Sequence, residues 1–360
     1  MRLIVHAGLR KTGSTALQKF LSRNRLRFKK NSTYVPSFPL GNSLRLYTSL
    51  IEPSAQVKAS DYANPNFTDE ALSVVGLRLR ALSHLGQESL RARLSPCSSV
   101  ILTAEQFSDF DTVDSLAKFG RLLACFSSKS PEFIYYVRKP DAWFKSMTLE
   151  FLKRGIAPSS FINSLDRLRR IVTSHAIVFG NLPVVRQYER SMLTRGDIVY
   201  DFLQTMMPDL DIEQFVVEES DANPSISAEA GFLLAQWRQE RFPGGNRNLR
   251  PKVVTRLSML LRNYETSRPR RPLPHFQPEF SRKIHQETRQ DIRWMKDALD
   301  IDLTAPPPAG TPPQDGKCDF GLRQLNDQER VRKIFQLDDR YLYELTQYLG
   351  NEGYKGFEID

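Results

Sequence analysis

Cysteine is scarce in this sequence: Cys97, Cys125 and Cys318 are the only three in 360 residues. They are odd in number, far apart and without metal-like spacing, so neither a disulfide framework nor a zinc site is expected. Long apolar runs are also missing. The run after Arg2 is too short for a secretory signal core, and no stretch reaches the length needed to span a bilayer. A cytoplasmic protein without a transmembrane segment is therefore expected. The chain has no internal repeat and no excess of acid. Lysine and arginine total 51 against 41 aspartates and glutamates, a net charge of +10. That balance suits nucleic acid, an anionic membrane or an acidic small ligand. Because the arginines are interleaved with acids, the expectation is one basic cleft on an ordinary surface and no nucleic-acid partner. With 40% apolar residues the chain can build a substantial core.

What is present is concentrated near the start. Leu3, Ile4 and Val5 form an apolar run fit for a covered parallel strand, and Ala16, Leu17, Phe20 and Leu21 recur at helical spacing. Between them Gly8 and Gly13 allow the backbone to turn sharply. The amides of Thr12 to Thr15 would then face an anion at the positive end of a helix. Set against the nucleotide-binding pattern G-x-x-x-x-G-K-S/T, Gly8, Gly13 and Thr15 match, but Ser14 stands where lysine belongs and the lysine has moved to Lys11. A phosphate donor other than a magnesium-bound triphosphate is expected from that displacement.

The segment His6-x-Gly8-x-x-Lys11-Thr12-Gly13-Ser14-Thr15 resembles the 5′-phosphosulfate loop of sulfotransferases that use 3′-phosphoadenosine 5′-phosphosulfate (PAPS), with Arg10 in place of the usual proline. A second segment points the same way. The strand candidate Phe133–Val137 ends in Arg138-Lys139-Pro140-Asp141 and leads into a helix carrying Trp143, Phe144, Met147 and Phe151. Arg138 and Ser146, eight residues apart, resemble the family's 3′-phosphate segment. A guanidinium offers phosphate a planar fork of donors, and a serine hydroxyl adds a neutral one.

Elsewhere, residues 29–70 read as a long loop and 69–93 as a helix with Leu72, Val75, Leu79, Leu82 and Leu85 on one face. Ser99–Thr103 reads as a strand with Glu105 just beyond it, where open α/β sheets bind ligands. A helix is expected over 112–126. Leu182–Arg190 reads as a short strand and loop, Gly196–Leu203 as a helix, and Ser225 or Ser227 as an N-cap beside Glu229. The stretch 241–303 is arginine-rich, with a proline-broken run at Ser267–Pro272. Val331, Ile334, Phe335, Leu342 and Leu345 indicate a helical C-terminal piece.

The expected fold is α/β, a central and mainly parallel sheet flanked by helices on both faces, like that of P-loop NTPases, with a helical C-terminal appendage. The expected division is an α/β domain over 1–303, a proline-rich linker or loop over 304–316, and a helical segment over 317–360. The resemblance implies sulfuryl transfer from PAPS, without a metal, to a hydroxylated acceptor, carbohydrate being the first choice. Arg10, Lys11, Thr12, Gly13, Ser14, Thr15, Arg138 and Ser146 would hold the donor. Lys11 would stabilise the leaving oxygen, with Glu105 or His6 as the base. A P-loop kinase-like phosphotransferase and a non-enzymatic polyanion binder with a sulfotransferase-like shell are the alternatives.

Overall fold

The computed structural model describes residues 1–36, 94, 96–124, 126–217, 225–243, 252–268, 272–304 and 318–354. The expected helix over 69–93, most of the 29–70 loop, Cys125 and nearly all of the 304–316 linker lie outside these residues.

In chain order the elements begin with β1 (Arg2–Ala7), α1 (Ser14–Arg23), α2 (Arg25–Lys30), β2 (Thr33–Tyr34) and β3 (Ser99–Ala104). There follow α3 (Val113–Leu123), β4 (Glu132–Val137), α4 (Pro140–Leu152), α5 (Ser164–Phe179), β5 (Val184–Gln187) and α6 (Ile198–Met206). The remainder is α7 (Ala228–Arg241), α8 (Lys252–Thr266), β6 (His275–Phe276), α9 (Pro278–Leu299), α10 (Asp327–Ile334), β7 (Phe335–Gln336) and α11 (Asp339–Asn351). These fall into two compact units. The first comprises Met1–Arg138, Ser164–Ser220 and Trp294–Leu303; the second comprises Lys139–Asn163, Asp221–Arg293 and Thr304–Asp360.

The first unit holds a five-stranded sheet in the order β2-β3-β1-β4-β5, with every pairing parallel. A sheet covered on both faces needs strands that are apolar throughout, and β1, β3 and β4 are buried along almost their whole length. Strand alternation sorts their side chains between two layers. Ile4, Ile101, Ile134 and Tyr136 pack with Leu17, Phe20 and Leu21 of α1 and with Ile198 and Phe202 of α6. On the other face the Phe133 ring meets Phe119 of α3 at 6.1 Å and His175 of α5 at 4.4 Å. The expected α/β fold is the one observed.

The second unit is mostly helical. Phe144 and Leu152 of α4 share a core with Leu233 of α7, Leu257 of α8, Phe280 of α9, Val331 of α10 and Leu345 of α11. The expected C-terminal piece is thus built into this core. Ser227 caps α7, its hydroxyl accepting the Ala230 amide at 3.0 Å, while Glu229 accepts the Asp338 amide at 2.9 Å.

Two buried histidines make the first unit acid-sensitive. Burial pushes His6 down to about 3 and His175 down to about 4, so both are neutral in the folded state near neutrality. Once the pH drops below the ordinary histidine range the unfolded chain binds protons that the folded chain refuses. Stability is therefore full above pH 7 and is lost between about 6.5 and the depressed folded values, at about 1.4 kcal/mol per pH unit for each histidine. Denaturant unfolding at pH 7 and pH 5 should show the drop, and His175→Gln should flatten its slope; equal stability at both values would refute it.

Candidate functional site

Because the strands run parallel, β1, β3, β4 and β5 all deliver their carboxyl ends to one edge. Chain order reverses at β1, which has β3 on one side and β4 on the other. Such a switch point opens a crevice beyond the central strand. Residues 8–13 leave β1 there, Glu105 follows β3, Arg138 follows β4 and Tyr188 follows β5.

The loop has the expected turn. Gly13 sits at φ 81°, in the left-handed region, immediately before α1. A Cβ on it would also come within 2.7 Å of the Tyr188 ring, so both conformation and space require glycine. At Gly8 an added Cβ would collide with Ser14 Oγ and stand 3.2 Å from His6 Cε1. Lys11 is the unusual member, a side-chain-bearing residue at φ 65°. Left-handed backbone costs an L-residue about 1–2 kcal/mol, so its surroundings hold Lys11 there.

The predicted ligands divide. Thr12 is fully buried, and its hydroxyl donates to the Leu9 carbonyl, so its side chain braces the loop. Thr15 and Arg10 are exposed at the surface of the loop, and Lys11 is half-buried. Ser14 is 1% exposed and opens α1, yet its buried hydroxyl has no hydrogen-bond partner among the described residues. His6 Nε2 is likewise buried and, among the described residues, without a partner, while Nδ1 lies 2.8 Å from Thr103 Oγ1. Unsatisfied buried polar groups are rare because each costs about 1–3 kcal/mol. Their presence beneath a helix N-terminus, in a cradle that a single Cβ would fill, suits an oxyanion of phosphate or sulfate size.

Glu105 is brought to the loop by register. Ala7 pairs with Ala104, and the Gly8 amide donates to the Ala104 carbonyl at 3.4 Å. Glu105 is half-buried and starts a short turn in which its carbonyl accepts the Ser108 hydroxyl at 2.7 Å. His6, by contrast, lies within β1, fully buried with its ring 5.9 Å from that of Tyr136 and 6.2 Å from that of Phe202. Ser146 is half-buried on α4 in the second unit.

Tyr188 is the site residue that sequence reasoning missed. Its amide donates to the Val137 carbonyl at 2.6 Å, which sets it alongside Arg138. The Arg138 guanidinium lies 5.9 Å from its ring centroid, and the ring touches the space above Gly13. One phenol therefore bridges the glycine loop and the arginine at the end of the next strand. Burial raises the Tyr188 hydroxyl above the ordinary phenol range; Arg138 and Arg190 pull the other way, and Asp197 adds to the rise.

An ion pair on a buried carboxylate holds that bridge from behind. Asp201 of α6, 0% exposed, accepts from Arg186 Nη2 at 2.6 Å, from Arg186 Nε at 3.2 Å and from the Tyr136 hydroxyl at 2.9 Å. Burial would raise this carboxyl, but the Arg186, Thr194 and Tyr136 hydrogen bonds outweigh burial and lower it. Since Arg186 precedes Tyr188 by two residues, the pair anchors the strand that presents the phenol.

Among the described residues no cluster of three or more histidine, cysteine or acidic side chains is arranged to hold a metal ion, and no helix is long and apolar enough to cross a membrane. No protein-family model, curated protein or solved structure matches the chain.

Proposed function

We propose that this chain is a cytoplasmic sulfotransferase that moves a sulfuryl group from PAPS to a hydroxyl, with carbohydrate as the acceptor class. The observation that carries the reading is the cradle at the end of β1, where the Ser14 hydroxyl, partnerless among the described residues, and the strained Lys11 meet a helix N-terminus. Arg138 follows the adjacent strand and is linked to the loop through Tyr188. In this reading the loop amides and Ser14 hold the 5′-phosphosulfate, and Arg138 receives the 3′-phosphate. Ser146 is assigned to the 3′-phosphate by the sequence resemblance.

The chemistry then needs one bond made and one broken. The acceptor oxygen bonds to sulfur as the bond from sulfur to the bridging phosphate oxygen breaks. Glu105 takes the acceptor's proton, and Lys11 stabilises the negative charge left on adenosine 3′,5′-bisphosphate. Preorganised donors at a developing anion are among the largest single contributions to catalysis, which is why Lys11 and the loop amides are given that work.

The test is a titration of adenosine 3′,5′-bisphosphate, AMP, ADP and ATP. The 3′-phosphate compound is expected to bind much more tightly than AMP. Arg138→Ala should erase most of that difference, a loss of about ten- to a hundredfold, the scale of one charge-assisted contact. Preference for ATP over adenosine 3′,5′-bisphosphate would turn the reading to a kinase. Equal affinity for all four would leave a general polyanion binder.

A further inference from the structure

The second unit contains a basic cavity that the proposed reaction does not use. Its volume is about 240 Å³, and it is lined by Gln277, by the start of α9 (Pro278 to Phe280), by Lys283, by Phe320, and by Arg332 and Lys333 of α10. Among the described residues three cations thus face one carboxylate, Glu279, which is paired to Lys283 at 2.8 Å. Net positive charge remains after that pairing. Lys283 holds the Glu279 carboxyl below the ordinary range, and Lys333 and Arg282 act in the same direction.

The lining is built rather than incidental. Lys333 Nζ occupies the space beside Gly321, where an added Cβ would stand 2.8 Å from the nitrogen. Arg332 is placed by the Phe232 ring, 4.7 Å from its guanidinium, with Asp339 4.0 Å away. Gln277 ties the segment before α9 to the end of α10. Its side-chain amide donates to the Arg332 and Phe335 carbonyls, each at 3.2 Å, and its own amide donates to the Ile334 carbonyl at 2.9 Å. The Phe280 and Phe320 rings, 5.0 Å apart, form an apolar wall. The first turn of a 22-residue helix adds the positive end of its dipole.

We infer that this cavity binds a small oxyanion-bearing molecule, a sugar-sized ligand carrying a phosphate or a carboxylate, at a site separate from the glycine loop. Volume limits the ligand. Pockets for drug-sized molecules run to about 300–1,000 Å³, so this one suits a monosaccharide derivative and is too small to enclose a nucleotide. Charge requires the anion, and the phenylalanine wall accepts the apolar face of a ring. Lys283 and Lys333 take the oxyanion with Arg332, while Glu279 opposes it.

Calorimetric titration of the full chain with glucose 6-phosphate, glucuronate, inorganic phosphate and glucose tests the assignment and separates phosphate from carboxylate ligands. At least one of the three anions is expected to bind, and glucose is not. In the double variant Lys283→Ala, Lys333→Ala that binding should weaken by about tenfold or more. In Lys11→Gly it should be unchanged, which distinguishes this cavity from the loop of the first unit. Glu279→Gln, which removes the opposing charge, should tighten it. Binding that is lost in Lys11→Gly, that survives the double lysine variant, or that is absent for all three anions would overturn the inference. Because Lys283 is half-buried and Lys333 exposed, circular dichroism of the double variant is expected to match the parent. Should that variant unfold, Glu279→Gln still decides, since unchanged or weaker binding there would also overturn the inference.

Discussion

Lys11→Gly is expected to unfold at the same temperature as the parent or a slightly higher one, while losing about 10² to 10³ in turnover with PAPS. The two effects have opposite signs because they arise from different properties of one residue. At φ 65° the lysine backbone is in a region that costs a side-chain-bearing residue about 1–2 kcal/mol, whereas glycine adopts it freely. Glycine's extra freedom in the unfolded chain returns roughly 0.5–1 kcal/mol of that gain. The net change in stability is therefore small or favourable. What is lost is a cation in the loop, where the proposed reaction develops negative charge on the leaving phosphate. Release of adenosine 3′,5′-bisphosphate from PAPS, measured with a panel of sugars, gives the rate, and thermal unfolding gives the stability. A variant that is both stable and fully active would remove Lys11 from the mechanism, and a destabilised one would assign it a packing role.

The strand, loop and helix around Lys11 were legible in the sequence because each rests on short-range physics. Three apolar residues, two glycines within eight positions of a helical apolar stripe, and a hydroxyl at the helix start can be read from one window. The same holds for β3 and β4, whose apolar runs differ from their predicted bounds only at one end, where Ala104 and Glu132 join. Boundaries set by capping were less legible. The helix expected from Gly196 begins at Ile198, because the Asp197 side chain accepts the Val199 amide at 2.7 Å and makes Asp197 the cap. Tyr188 was not legible at all. Its place beside Arg138 depends on the parallel register of β4 and β5, in which Val137 pairs with Gln187. The Arg186–Asp201 pair behind it joins residues 15 apart across a strand and a helix, and neither belongs to any motif. Long-range register also buries His6. In sequence it looks like a titratable group near the loop, yet β3 on one side and β4 on the other enclose it within the sheet.

That burial leaves Glu105 as the proposed base. Glu105→Gln is expected to fold, to bind adenosine 3′,5′-bisphosphate as the parent does, and to lose about 10² to 10⁴ in turnover. The glutamine side chain keeps the size and most of the hydrogen bonding of glutamate but cannot take the acceptor's proton. Geometry favours this residue over His6 for two reasons. Glu105 is half-buried at the carboxyl edge of the sheet, one residue beyond the strand whose last carbonyl receives the Gly8 amide. His6 is fully buried and pushed down to about 3, so accepting a proton there at neutral pH would place an uncompensated charge among Tyr136, Phe202 and Thr103. The comparison variant is His6→Gln, for which weakened stability and near-parental turnover per folded molecule are expected. If instead Glu105→Gln keeps near-parental turnover and folded His6→Gln loses it, the proton passes through the buried imidazole, and Glu105 serves only to start the turn after β3.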